Sequence, residues 1–257
     1  MAEALIKGLL QKGVFEPEQI LCSEPVEQRR NYLEETYRIA TFSDNKDAVA
    51  NADIVLLAVK PQVMDVVLGE LASAITDDHL VISIAAGVTL KRLQGLLGPS
   101  ARVIRVMPNT PALVLEGAAA LAPGQRAKEQ DMQTALRIFE AVGKAVQVPE
   151  SLMDAVTGLS GSGPAYCFLF IEALIQAGIR EGLPRPTAQE LAIQTVIGSA
   201  KMCMETGRHP MELTAMVTSP GGTTIQGLYH LEKNGLSGIV MDAVRAATQR
   251  SKELGDG

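Results

Sequence analysis

Between residues 217 and 228 the chain reads Val-Thr-Ser-Pro-Gly-Gly-Thr-Thr-Ile-Gln-Gly-Leu, crowding hydroxyls, adjacent glycines and a proline onto the start of a helix. The chemistry available there is the holding of a small polar ligand. Ser219, Thr223 and Thr224 carry hydroxyls that both donate and accept. Gly221 and Gly222 let backbone N–H groups approach a ligand that a Cβ would keep away. The same residues also make a capped helix start, with Ser219 as N-cap and Pro220 in the first turn, and the segment alone does not separate the two readings. A second glycine cluster, Gly158-Leu159-Ser160-Gly161-Ser162-Gly163-Pro164-Ala165-Tyr166, opens a long apolar helix. It permits close backbone contact with a ligand or with another helix, and on spacing alone helix contact is favoured.

Four further places sit at the ends of apolar, strand-like runs, where a doubly wound sheet binds its ligands. Ala58-Val59-Lys60-Pro61 turns from a buried run straight into a lysine and a helix-starting proline. Ser83-Ile84-Ala85-Ala86-Gly87-Val88-Thr89 offers small residues, Ala86 among them, beside which a flat ligand fits. Arg105-Val106-Met107-Pro108-Asn109-Thr110-Pro111 is a polar loop whose shape Pro108 and Pro111 fix. Ser23 and Glu24 follow the run at 19–23, where such folds meet an adenosine ribose; an acidic group there suits a free 2′-hydroxyl, and Arg29 and Arg30 close by offset it. Ordinary strand-to-helix turns and helix-on-sheet packing account for the first two equally well. No GxGxxG loop precedes the first helix, although that loop is what holds a pyrophosphate.

Other chemistries find no support. His79, His209 and His230 are isolated, and Cys22, Cys167 and Cys203 form no CxxC pair, so neither a metal site nor a disulfide framework is indicated. An odd, scattered cysteine count fits a reducing cytoplasm. Twenty-nine acidic residues against 23 basic ones give a net charge of −6, without the basic block that nucleic acid binding requires. No uninterrupted apolar run reaches the ~18 residues of a membrane span, so a soluble protein without a membrane partner is expected. Glu3 and Lys7 interrupt the first apolar stretch, which reads as an amphipathic helix rather than a signal peptide.

The elements that must position these residues fall into two halves. Strands at 19–23, 38–41, 53–59, 79–85, 102–107 and 145–148 alternate with helices at 25–36, 45–50, 61–74, 89–97 and 128–142, and an apolar stretch lies at 117–121. Continuous apolar strands alternating with amphipathic helices predict a parallel sheet covered on both faces. Beyond Pro149 only helices follow, at 152–159, 164–181, 186–205, 210–217, 223–234 and 237–254. Two domains are expected: a dinucleotide-binding domain at 1–150 and a helical domain at 151–257.

Taken in order and spacing, Ala58-Val59-Lys60-Pro61, Ala85-Ala86-Gly87-Val88, Met107-Pro108-Asn109-Thr110-Pro111, the segment from Thr157 to Tyr166 and that from Thr218 to Thr224 closely resemble pyrroline-5-carboxylate reductase over essentially the whole chain. The resemblance implies nicotinamide-dependent reduction of 1-pyrroline-5-carboxylate to L-proline, the final step of proline biosynthesis. The fold it implies is a Rossmann domain followed by an all-helical dimerisation domain. NADPH is the implied cofactor, with NADH as the alternative. Asn45, Ala58, Val59, Lys60, Pro61 and Ala86 are expected to contact the dinucleotide, with Ser23 and Glu24 near its adenosine ribose. Ser219, Gly221, Gly222, Thr223 and Thr224 are expected to hold the substrate carboxylate, and Thr224 to lie near the ring nitrogen. A homodimer or a ring of dimers is the implied assembly.

Family members begin with a strand and a GxGxM-type loop, whereas Met1-Ala2-Glu3-Ala4-Leu5 resembles the end of that loop. The first strand and loop, roughly ten residues, are therefore expected to be missing, through a misplaced start or a shortened chain. Two rival readings stay open: a related imine or β-hydroxyacid dehydrogenase, and a truncated, non-catalytic dimerisation protein. Against the hydroxyacid enzymes, which use a lysine after the Rossmann domain, Lys201, Lys233 and Lys252 lie in no glycine-rich helix start.

Overall fold

The computed structural model describes residues 1–255. Leu21–Ser23 (β1) and Ala40–Phe42 (β2) pair in parallel as a small sheet of their own. Ile54–Leu57 (β3), Leu80–Ser83 (β4) and Arg102–Met107 (β5) pair in parallel, residue 54 opposite 80 and 80 opposite 102. Gly117–Pro123 (β6) runs antiparallel to β5, and Gly143–Gln147 (β7) runs parallel to β6, completing five strands in sequence order. The sheet is thus predominantly parallel, as expected, with one reversal between β5 and β6. The cause lies in the connection. Only a short turn at Thr110–Val114 joins β5 to β6, and a parallel return needs a crossover of a dozen residues or more.

The helices of the first part are α1 (Ala2–Gln11), α2 (Glu27–Tyr37), α3 (Asn45–Val49), α4 (Met64–Leu71), α5 (Leu90–Leu97), α6 (Glu129–Glu140) and α7 (Met153–Val156). Successive strand residues point to opposite faces, and the two faces build two cores. Val55, Leu57, Val81, Val103, Ala120 and Ala122 pack with Met64, Leu68 and Leu71 of α4, Leu90, Leu93 and Leu97 of α5 and Met153 of α7. Leu80, Ile82, Ile104, Val106, Ala119 and Leu121 pack with Leu5 and Leu9 of α1 and with Met132, Ala135, Ile138 and Phe139 of α6. This is the doubly wound arrangement predicted from the apolar runs.

The second part contains α8 (Gly163–Arg180), α9 (Arg185–Thr206), α10 (Pro210–Met216), α11 (Thr223–Lys233) and α12 (Leu236–Gly255). By contact the chain divides into Gly163–Arg245 and a larger unit made of Met1–Ser162 with the residues from Ala246 onward. The first change of unit falls after Ser162, some residues beyond the last strand, because Met153 and Val156 pack into the core of α4 and α5. Within the helical unit, α8 and α9 form a hairpin around Ile175, Ala188 and Ala192. Gly178 allows its close approach: a Cβ there would come within 3.1 Å of the Ala188 side chain.

One helical stretch is more apolar than its unbroken runs suggest. The helical run Glu150–Arg180 includes an 18-residue window of mean hydropathy 1.3, enough by length and composition to cross a membrane. Its apolar character comes from the charge-free stretch at 155–171, in which glycines and serines interrupt the apolar residues and hide the run from a reading by unbroken hydrophobicity.

Candidate active site

The turn before α11 is built by Pro220 and Gly221. Ser219, Pro220, Gly221 and Gly222 form a tight turn closed by the Gly222 N–H donating to the Ser219 carbonyl at 3.0 Å. Gly221 sits at φ +67°, and proline followed by a left-handed glycine is the requirement of a type II turn. A Cβ on Gly222 would come within 2.3 Å of Ser219 Oγ, so only glycine leaves that hydroxyl where it lies. Gly222 is the N-cap of α11 and makes no side-chain cap bond. The helix therefore begins at Thr223, not at Ser219 and Pro220 as a capped start. The proline is satisfied equally by the second position of a turn, and Gly221 decides the matter. Backbone N–H groups of Thr223, Thr224 and Ile225 have no acceptor inside the helix, and the helix N-terminus favours an anion beside them. Ser219, Gly221, Gly222, Thr223 and Thr224 are thus brought together in one turn of the helical unit.

The residues expected at the dinucleotide lie in the larger unit, each set following the carboxyl end of its strand. Ser23 ends β1, and the Glu24 N–H donates to the Phe42 carbonyl at 3.0 Å. The Glu24 carboxylate accepts the Val26 N–H at 3.0 Å, while Arg30 Nη1 donates to the Glu24 and Pro25 carbonyls at 2.9 and 3.0 Å. Arg29 takes a different course. It pairs with Glu3 and lies 4.8 Å from the centre of the Tyr32 ring. The Arg29 guanidinium above all, with the Tyr37 and Tyr32 hydroxyls, holds the Glu3 carboxyl below the usual range against the opposing effect of burial. Burial and the bond to Glu3 push Tyr37 up to about 12. The neighbouring Cys22 thiol is raised by burial and then by the Glu24 charge.

Asn45 is the first residue of α3, and its Nδ2 donates to Glu70 of α4 at 3.2 Å; Asp44 caps the helix by accepting the Lys46 N–H at 2.7 Å. Ala58 and Val59 follow β3, exposed Lys60 is extended (φ −64°, ψ 144°), and Pro61 begins a short 3-10 turn. After β4, Ala85 is buried and Ala86 exposed, and Gly87 is left-handed at φ +76°. On its other side the Leu254 carbonyl would lie 3.6 Å from a Cβ at Gly87. An exposed alanine beside a left-handed glycine keeps side chains out of the space over the strand end, which fits the flat edge of a dinucleotide.

Two features escaped sequence reasoning. Asn109 bridges two segments: its Oδ1 accepts the Ala118 N–H at 2.8 Å and its Nδ2 donates to the Ser160 carbonyl at 3.0 Å. Ser160 belongs to a π-helical turn, Thr157–Gly161. The sequence signal for both is Pro164, four residues beyond Ser160, which lacks the N–H that a continuing α-helix would bring to that carbonyl.

Residues 150–254 match the family model for pyrroline-5-carboxylate reductase dimerisation, and residues 1–87 match the model described as NADP oxidoreductase, coenzyme F420-dependent. A pyrroline-5-carboxylate reductase of Methanosarcina acetivorans is 51% identical over 255 residues, covering 99% of this chain and 94% of the relative. The solved pyrroline-5-carboxylate reductase of Coxiella burnetii superposes with a TM-score of 0.95 at 38% identity, covering 98% of this chain and 94% of that one. The Plasmodium falciparum pyrroline carboxylate reductase, solved with NADP bound, gives 0.86 at 34% identity, again covering 98% and 94%. With half its residues shared along almost its whole length, this chain belongs to the pyrroline-5-carboxylate reductase family.

Proposed function

We propose that the chain reduces 1-pyrroline-5-carboxylate to L-proline, the final step of proline biosynthesis, as a cytoplasmic homodimer that prefers NADPH to NADH. The observation that carries the substrate reading is the turn from Ser219 to Thr224, an anion-favouring helix start with hydroxyls beside it. The Ser219 hydroxyl and the N–H groups of Gly221, Thr223 and Thr224 hold the substrate carboxylate. Gly222 serves by its missing Cβ, since its own N–H closes the turn on Ser219. The Thr224 hydroxyl polarises the ring nitrogen or relays its proton. A nicotinamide held there would supply hydride for the imine carbon. Because the nitrogen gains a proton as the carbon gains hydride, the residues mainly orient the imine and need no strong base.

Asn45, Ala58, Val59, Lys60, Pro61 and Ala86 contact the dinucleotide in this reading, and Ser23 and Glu24 meet its adenosine ribose. Arg30, held at the Glu24 and Pro25 carbonyls, supports NADPH by bringing a positive charge to the loop that would meet the adenosine ribose and a 2′-phosphate on it. The homodimer reading rests on the helical unit, where Phe168, Leu169 and Met241 are 64%, 73% and 70% exposed. Free thiols at Cys22, Cys167 and Cys203 support the cytoplasm. The test is steady-state reduction of 1-pyrroline-5-carboxylate by the Thr224→Ala variant. Loss of a hydrogen-bonding proton relay is expected to lower kcat about a hundredfold. Unchanged turnover with unchanged saturation would remove Thr224 from the mechanism.

A further inference from the structure

Two adjacent arginines near the start of α2 take opposite courses. Arg30 Nη1 donates to the Glu24 and Pro25 carbonyls at 2.9 and 3.0 Å, which sets its guanidinium on the loop after β1. Arg29 turns instead to α1, where its Nη2 donates to the carboxylate of Glu3 in the first turn. The two residues are 26 apart in sequence, so the bond ties one helix to another.

Glu3 keeps its place without Arg29. Its Oε1 accepts the Tyr37 hydroxyl at 2.8 Å and the Tyr32 hydroxyl at 3.0 Å, leaving Oε2 for the arginine. The Tyr32 ring, 4.8 Å from the guanidinium carbon, adds a cation–π contact. Arg29 is also within electrostatic reach of the loop after β1: the bond to Glu3 raises its guanidinium most, and the Glu24 charge adds to that effect. With the Arg29 and Glu3 side chains 40% and 32% exposed, solvent screens the ion pair, which favours the held position by about fivefold. A guanidinium so placed is available to the loop once its carboxylate partner is removed.

We propose that Glu3 is a specificity-determining residue for the cofactor: by holding Arg29 on α1 it keeps a second guanidinium from the loop at Ser23 and Glu24, and so moderates the preference for a nucleotide that carries a 2′-phosphate. The residues concerned all belong to Met1–Ser162, and their role rests on the functional reading above, in which that loop meets the adenosine ribose. A guanidinium fork suits a phosphate through charge-assisted hydrogen bonds. A free 2′-hydroxyl gains little from a second cation.

The test measures binding of 2′,5′-ADP and of 5′-AMP, which differ only in the 2′-phosphate, by titration calorimetry. It uses the whole chain, its Glu3→Gln and Glu3→Ala variants, and each of these combined with Arg29→Met. Release of Arg29 is expected to tighten 2′,5′-ADP by about tenfold and 5′-AMP by less than about twofold. The gain should shrink as salt is added. Adding Arg29→Met should abolish it. Glu3→Gln retains an acceptor for both tyrosines, so it decides the matter if Glu3→Ala does not fold. Three results would overturn the proposal: a ratio of the two affinities that is the same in the original chain and in every folded Glu3 variant, a gain that persists with Arg29→Met and so reflects only the lost negative charge, or no binding of 2′,5′-ADP by any of the chains. Reduction of 1-pyrroline-5-carboxylate is measured separately. A chain that shows the expected ratios yet reduces none of it with either cofactor removes the functional reading and leaves the hold of Glu3 on Arg29 established.

Discussion

Replacing Glu150 should expose how the strand carrying the Met107 to Pro111 loop is held. Arg105 lies in β5 on the face that packs against α4, α5 and α7, with its side chain only 7% exposed, and its Nη1 donates to Glu150 Oε1 at 3.1 Å. The same oxygen accepts the Leu90 N–H at 2.6 Å, at the first residue of α5. Glu150→Ala removes one carboxylate and leaves two donors. Stranding one member of a fully buried pair costs about 3–5 kcal/mol, but Glu150 is 34% exposed, and water reaching Arg105 through the vacated space reduces that to about 2 kcal/mol. The unpartnered Leu90 N–H adds about 1 kcal/mol. A total of about 3 kcal/mol corresponds to a fall in Tm of roughly 6–12 °C for a chain of this size. Urea and thermal unfolding followed by far-ultraviolet circular dichroism measure it, the chain having no tryptophan. Glu150→Gln keeps an acceptor and should lose about 1 kcal/mol. Arg105→Met with Glu150→Leu, which leaves no charge behind, should be more stable than Glu150→Ala. A Glu150→Ala chain within about 1 kcal/mol of the original, or a double variant less stable than the single one, would refute the assignment of Glu150 as the counter-ion of a buried arginine.

The cluster of Glu3, Arg29, Tyr32 and Tyr37 predicts a two-sided pH dependence. Glu3 is depressed below its ordinary value of 4.5, so its contribution is full above that value and is lost as pH falls through the lower folded value. Tyr37 is raised from 10.0 to about 12, so its contribution is full below 10 and is lost as pH rises through about 12. Urea midpoints of the original and Glu3→Ala chains should differ by a constant amount on the plateau between, converge as pH falls through the Glu3 value, and only narrow as pH rises through about 12, because the Arg29–Glu3 pair outlasts the Tyr37 bond. Phenolate absorbance should show the late tyrosine titrating earlier in Glu3→Ala. Gly143→Ala should destabilise the chain by at least about 2 kcal/mol in the same unfolding assay, since Gly143 has φ +151° and an added Cβ would lie 2.0 Å from the Gly117 carbonyl oxygen.

How far the sequence foretold this structure depended on whether the deciding interaction was local. The runs that became β3, β4 and β5 were readable because both faces of each strand are covered, leaving scarcely any polar residue to blur the pattern. Arg105 is the exception that carries information: a charge at an inward position of β5 announces a buried partner, and that partner is 45 residues away. The direction of β6 was not in its own residues, but in the shortness of the loop before it. Similarly, Pro220 suits both a turn and a helix start, and only the left-handed Gly221 separates them. The strand ends were legible as candidate cofactor contacts because parallel strands place their carboxyl ends at ligands. What those residues already hold, such as Glu70 on Asn45 or the Arg30 bonds at Glu24, comes from elements that sequence reading could only place separately.

The helical unit was legible as helices and illegible as a core, for one physical reason. A helix in a globular domain has an apolar stripe that points inward, yet α8 and α9 carry apolar residues on more than one side. Phe168, Leu169 and Phe170 on α8, and Leu191, Ile197, Met202 and Met204 on α9, remain exposed, while the buried cluster of this unit consists of Ile175, Ala188 and Ala192. So small a cluster cannot offset the entropy of ordering helices of this length. The missing apolar contacts must be made with surface outside the unit, and the homodimer proposed above supplies identical helices with the same uncovered residues. The turn from Ser219 to Thr224 is carried by α10 and α11 of this unit, whose Met216 and Ile225 are likewise exposed. Its rigidity, and with it any orientation it imposes on a carboxylate, therefore depends on the contacts that cover the unit as well as on the bonds within the turn.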